Sequence, residues 1–114
     1  MPNHQNSFEA QFFISFDEQQ IKLKAPGGRV STILWSELVG VGIQTTDEGP
    51  MMPDVFWVLG TKENSLRFPQ GAQGESELLT RLQQLPNFDN AALIASMSST
   101  ENNFFVCWQK QPLK

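Results

Sequence analysis

The chain has one histidine, His4, one cysteine, Cys107, and no tyrosine in 114 residues, and each shortage removes a class of function. His4 lies in MPNHQNS, a polar opening with no periodicity that reads as a frayed tail over residues 1–7. Histidine-based acid–base catalysis and the Ser-His or Cys-His dyads therefore lack their central group. A single cysteine cannot close an internal disulfide. Cys107 stands between Val106 and Trp108 in a strand-like run, which reads as a buried, inert thiol rather than a nucleophile. Neither GxSxG nor a Walker loop is present. No stretch of about 20 apolar residues is long enough to cross a bilayer, and no basic start followed by an apolar run marks a signal peptide. The expectation is a cytoplasmic protein.

Positive charge is also scarce. Eight Lys and Arg face twelve Asp and Glu, for a net charge of -4 and a pI of about 4.8. The attraction that governs binding to nucleic acid or to an anionic membrane is absent, so neither is expected as a partner. The deficit is local: no Lys or Arg occurs between Arg29 and Lys62, whereas Glu37, Asp47, Glu48 and Asp54 all fall in that window. A basic partner would find its site there.

What the chain does have is strand periodicity. Phe8, Ala10, Phe12, Ile14 and Phe16 share one parity against Glu9, Gln11, Ser15 and Asp17, which predicts a half-buried strand that only Phe13 breaks. A polar turn at 17–20 leads to Ile21 and Leu23 alternating with Lys22 and Lys24, completing a hairpin. After Pro26-Gly27-Gly28, RVSTILWS (29–36) and VGVGIQTT (39–46) read as β-branched strands. Gly40 and Gly42 on one face of the latter permit a bend or a close approach. VFWVLG (55–60) is apolar on both parities and is expected as a central strand covered on both sides; LRF (66–68) follows it.

The period then changes. ESELLTRLQQL places Leu78, Leu79, Leu82 and Leu85 on one helical face, with Glu75 and Glu77 in the first turn where the dipole favours acids. Those acids would repel phosphate from the Gly71–Gly74 segment, which reads as a cap. Gly40-Val41-Gly42 lacks the third glycine and following helix of a dinucleotide loop. Pro86 ends the first helix, a shorter one begins near Asp89 or Asn90, and FFVCW (104–108) is a last strand.

Strands, then helices, then one strand predict a single α+β domain over residues 8–110, with residues 111–114 as a C-terminal tail. Its expected form is a curved antiparallel sheet with one amphipathic helix, a second short helix and a C-terminal strand. With so few helices to shield it, the sheet is expected to curl like a barrel first and to dimerise second. Antiparallel strands followed by an amphipathic helix resemble the pleckstrin-homology-like architecture, with ILWSELVGV similar to strand-turn-strand pieces of its bacterial versions. The phrases WSELV, TTDEGP, DVFW, PQGA, LPNFDN, MSSTEN and FVCW resemble those of a family of short, uncharacterised bacterial proteins. That resemblance implies a stand-alone bacterial domain and carries over no catalytic residue.

The stretch TTDEGPMMPDVFW (45–57) stands out from scaffold. Pro50 and Pro53 narrow the loop's conformations and reduce the entropy lost on ordering. Met51 and Met52 offer adaptable apolar contact, and Trp57 offers an aromatic anchor if its face is open. The primary expectation is a non-enzymatic protein-binding module whose surface is Asp47, Glu48, Met51, Met52, Asp54 and Trp57. The acids would steer a basic protein partner, and an immunity-like protein masking a basic enzyme is a specific version. The alternatives are an enzyme that holds a divalent cation on Asp47, Glu48 and Asp54, although the spacing fits no EF-hand, and a structural oligomer subunit. No residue pattern calls for a cofactor.

Overall fold

A computed structural model describes residues 8–47, 54–99 and 101–110; the expected tails at 1–7 and 111–114 lie outside these. Among the described residues, seven strands and two α-helices follow in the order β1 (Phe13–Phe16), β2 (Gln20–Lys24), β3 (Val30–Leu34), β4 (Gly40–Thr45), β5 (Val55–Gly60), β6 (Ser65–Pro69), α1 (Glu75–Leu82), α2 (Asn90–Met97) and β7 (Asn103–Gln109). The class is α+β, as the sequence predicts.

The single curved sheet is corrected to two. One sheet has the order β1-β2-β3 and the other β6-β5-β4-β7, all antiparallel, and among the described residues no ladder closes them into a barrel. The division falls where RVSTILWS stops being a strand. Trp35–Glu37 forms a 3-10 turn, and the Trp35 indole N–H donates to the Asp17 carbonyl at 2.8 Å. That bond holds the end of β3 on the first sheet while Leu38 and Val39 lead the chain into the second. β3 and β4, consecutive in sequence, are therefore not neighbours.

Asp17 itself sets the first hairpin. Its carboxylate accepts from the Gln19 and Gln20 N–H groups at 2.8 and 2.9 Å, and those bonds hold its pKa below the ordinary value. The strand predicted from Phe8 begins late. Glu9–Gln11 is a 3-10 turn, closed by Phe8 against Phe12 edge-on with centroids 5.2 Å apart. After it, Ile14 enters the core and Phe13 is 47% exposed.

The inner faces of both sheets share one core. Ile14, Ile21 and Ile33 of the first meet Ile43, Leu59 and Phe68 of the second. Leu78 and Leu82 of α1 complete it from one side, and Leu93 of α2 from the other. α1 packs on β1, and α2 lies across β7 and β4. The predicted two-sided cover of β5 is half realised: Trp57 and Leu59 are buried, while Phe56 and Val58 are half-buried on the outer face. There the Arg67 guanidinium lies 3.8 Å from the Phe56 ring centroid. Gly42 permits a close approach, because a side chain there would overlap the Phe104 ring, and a ladder irregularity falls between Val41 and Gly42.

α2 begins where the sequence places it. Asp89 is its N-cap, accepting from the Ala92 N–H at 3.0 Å, and the Asp89 N–H donates to the Cys107 carbonyl at 2.7 Å. One residue thus starts the helix and fastens it to β7.

Candidate functional site

The acidic loop leaves β4 and returns to β5. Of its predicted residues, Glu48, Met51 and Met52 lie outside the described residues, while its stems are well placed. The Thr46 N–H donates to the Asp54 carbonyl at 2.8 Å, closing the neck of the loop. Asp47 and Asp54 are both exposed, and the Asp47 N–H reaches the Asn102 side-chain oxygen at 3.3 Å.

Asn102 belongs to the segment joining α2 to β7, and Thr45 ties that segment to the loop more tightly. Thr45 is only 1% exposed. Its hydroxyl donates to the Glu101 carbonyl at 2.7 Å and lies 3.1 Å from the Ser99 hydroxyl. Two phrases far apart in sequence, TTDEGP and MSSTEN, thus meet at one end of the second sheet. The periodicity of β4 gave no sign of this: Thr45 shares the inner parity of Val41 and Ile43, and a threonine there reads as one more β-branched core residue. Its inward hydroxyl needs an acceptor, and the Glu101 carbonyl supplies one.

The same meeting brings up apolar surface. α2 is apolar around nearly its whole circumference (NAALIASM), yet only Leu93 and Ser96 are buried. Ile94 is 68% exposed and Met97 57% exposed. Met97 stands beside the loop stems, since the Gln70 side-chain amide lies 3.7 Å from its sulfur while the Gln70 N–H donates to the Val55 carbonyl at 2.8 Å. The sequence carried one signal for this face: an all-apolar helix in a chain with too few elements to cover it.

Trp57 is corrected. At 2% exposure it has no open face for a partner. Its position on β5 turns it inward, where its indole N–H donates to Glu75 Oε2 at 2.7 Å. Glu75 Oε1 accepts from the Gly71 N–H at 2.8 Å. One carboxylate thus joins the central strand, the turn before α1 and the first residue of that helix, which is what Glu75 does in place of repelling an anion.

Among the described residues no group of three His, Cys, Asp or Glu side chains is arranged to hold a metal ion. The cation site expected at Asp47, Glu48 and Asp54 includes one residue outside them. No helix among them is long and apolar enough to cross a membrane. Cys107 is buried, and that burial, with Asp89 nearby, pushes its thiol up to about 11 from an ordinary 9.0. The thiol stays protonated at neutral pH and is a poor nucleophile. The unfolded chain ionises this group at lower pH than the folded one, so the stability tied to it is complete below about pH 9 and is lost as pH rises through 11. Urea midpoints measured across that window are expected to show an alkaline loss of roughly 2 kcal/mol that disappears in Cys107→Ala. An equal slope in both proteins would assign the loss to other groups.

The fold and site define an α+β domain of two antiparallel sheets bearing an acidic and apolar surface at one end. Comparison with protein-family models, with curated proteins and with solved structures finds no match.

Proposed function

We propose that the protein is a non-enzymatic binding module that engages a basic protein partner through the end where the 47–54 loop meets the C-terminus of α2. The observation that carries this reading is the exposure of Ile94 and Met97 on α2, with Met97 beside stems bearing Asp47 and Asp54 and Glu101 alongside. Apolar surface ringed by one sign of charge is how an interface combines a desolvated centre with electrostatic steering. Glu48, Met51 and Met52 extend the same chemistry in sequence. TTDEGP and MSSTEN, two of the phrases resembling those of short bacterial proteins, supply Asp47, Glu48, Met97 and Glu101 of it. A cytoplasmic bacterial protein that masks a basic enzyme, as an immunity protein does, fits these properties. The two sheets followed by α1 read as an opened form of the pleckstrin-like arrangement, supported by the antiparallel meanders that precede the helix.

The test uses two folded variants, Asp47→Asn/Glu48→Gln/Asp54→Asn and Ile94→Glu/Met97→Glu, in affinity capture from the source cell followed by titration with the purified captured protein. A basic protein is expected whose affinity falls at least about tenfold in each variant, about 1.4 kcal/mol, with a marked salt dependence for the wild type. Capture unaffected by either variant would remove the surface from the reading. A stable dimer in light scattering, unchanged by both variants, would favour the oligomer subunit.

A further inference from the structure

With Trp57 in the core, the other two of the chain's three tryptophans, Trp35 and Trp108, line one cleft of about 380 Å³. It opens where the 3-10 turn after β3, the turn after α1 and the end of β7 converge. Along β4 and β7 this is the opposite end from the acidic surface, because Gly40 pairs with Gln109 here and Thr45 with Asn103 there. Leu38, 1% exposed, forms the floor, and Leu85 adds a half-buried wall. Asn87 stands exposed at the rim with a left-handed backbone, φ 67°.

Both indoles are held by their nitrogen. The Trp108 N–H donates to the Pro86 carbonyl at 2.9 Å, as the Trp35 N–H does to the Asp17 carbonyl. Since Nε1 is the only polar atom of an indole, all that either half-buried ring shows the cleft is aromatic carbon. Trp35 is fixed further by Phe16, edge-on with centroids 6.1 Å apart, and by the Arg81 guanidinium 4.5 Å from its ring centroid. Rings ordered before a ligand arrives lose little entropy on binding it.

Charge narrows the ligand. Lys110 is the only charged residue among the described residues that line the cleft, and no described acid lines it in a chain with twelve. Indole rings attract cations where nothing opposes them, but here Arg81 already lies against Trp35 and Lys110 adds a second positive charge. A cationic ligand is therefore disfavoured. The groove on the other side of Lys110 differs, because Glu37 and Glu63 there offset Lys62 and Lys110 and no aromatic residue lines it.

We propose that this cleft binds a small planar aromatic molecule, neutral or anionic, of one or two fused rings. The indoles and leucines take its ring system, and the rim leaves any carboxylate in solvent beside Lys110. The volume lies within the range of small-ligand sites, which are mostly apolar with a few polar groups at the edge.

Proton–nitrogen NMR reads the three indole N–H signals separately, and Trp57, 2% exposed, is the internal control. The probes are indole, indole-3-propionate, tryptamine and cyclohexanepropionate. Saturable shifts are expected at Trp35 and Trp108 with the first two, while Trp57 stays unmoved. Tryptamine, which is cationic, and cyclohexanepropionate, which is not planar, are each expected to bind at least about tenfold more weakly than indole-3-propionate. Lys110→Glu changes an exposed side chain, so the variant folds; it is expected to weaken indole-3-propionate about fivefold and to leave indole unchanged. The proposal is overturned by the absence of saturable shifts with both indole probes, or by a Trp57 shift equal to the other two. Tryptamine or cyclohexanepropionate binding as tightly as indole-3-propionate, or a Lys110→Glu variant that binds indole-3-propionate like wild type, would overturn it as well.

Discussion

Trp57→Ala is expected to cost about 3–5 kcal/mol, the range for removing a large aromatic side chain from a packed core. Against the roughly 5–15 kcal/mol that holds a domain of this size together, the variant is expected to unfold early in urea or not to fold at all. Trp57 stands on a central strand of the second sheet, opposite Ile43 on β4 and Phe68 on β6, and its loss opens a cavity among residues that are 1% and 0% exposed. Packing is only part of the effect. Without the indole, Glu75 Oε2 loses its donor while Oε1 still holds the Gly71 N–H. The two contributions separate in Trp57→Phe, which keeps most of the ring and discards the donor, and is expected to lose about 1–3 kcal/mol. Urea unfolding followed by near-ultraviolet circular dichroism reads both. A loss under 1 kcal/mol in the alanine variant would show that Trp57 is not the anchor that its burial indicates.

Trp57 also shows what a sequence discloses and what it withholds. An apolar run on both parities placed it on a strand, and β5 runs over the predicted residues 55–60; the alternation of Ile21 and Leu23 gave another strand with both residues buried. Helix signals were as legible, since the Leu78 and Leu82 face is buried and Asp89 caps the second helix. These features are local: a period of 2 or 3.6, or one side chain reaching its own backbone. Which face of β5 would be closed depends on where the rest of the chain packs, so the same apolar run permitted Trp57 as contact or as core. The two-sheet division was hidden for the same reason. RVSTILWS has strand composition to its end, and contacts distant in sequence, among them the bond from Trp35 to Asp17 eighteen residues back, accompany the helical turn of its last residues. The proposed surface was half visible: the acids of the loop show in sequence, but the exposure of Ile94 and Met97 depends on which side of α2 meets β7.

Gly74→Ala is expected to be the most damaging small substitution in the chain, and Gly28→Ala supplies its control. The two glycines have nearly the same backbone angle, φ 91° and 90°, in the left-handed region where an L side chain costs about 1–2 kcal/mol. Their surroundings differ. A Cβ at Gly28 meets nothing within 4 Å, whereas one at Gly74 would overlap the carbonyl oxygen of Ile14. That carbonyl has little freedom to withdraw, because the neighbouring Gln73 accepts from the Ile14 N–H at 2.8 Å and donates to the Phe12 carbonyl at 2.9 Å. The turn before α1 is stitched through Gln73 to Phe12 and Ile14, immediately beside the overlap. Relief requires breaking that stitch, which carries α1 away from β1 and exposes Leu78 and Leu82. Gly28→Ala is expected to lose about 1–2 kcal/mol, the conformational cost alone, and Gly74→Ala more than about 4 kcal/mol, a size reserved for steric disruption of a packed element. Thermal unfolding of the pair measures the difference. Equal losses would mean that backbone conformation, and not the closeness of Ile14, is why glycine occupies position 74.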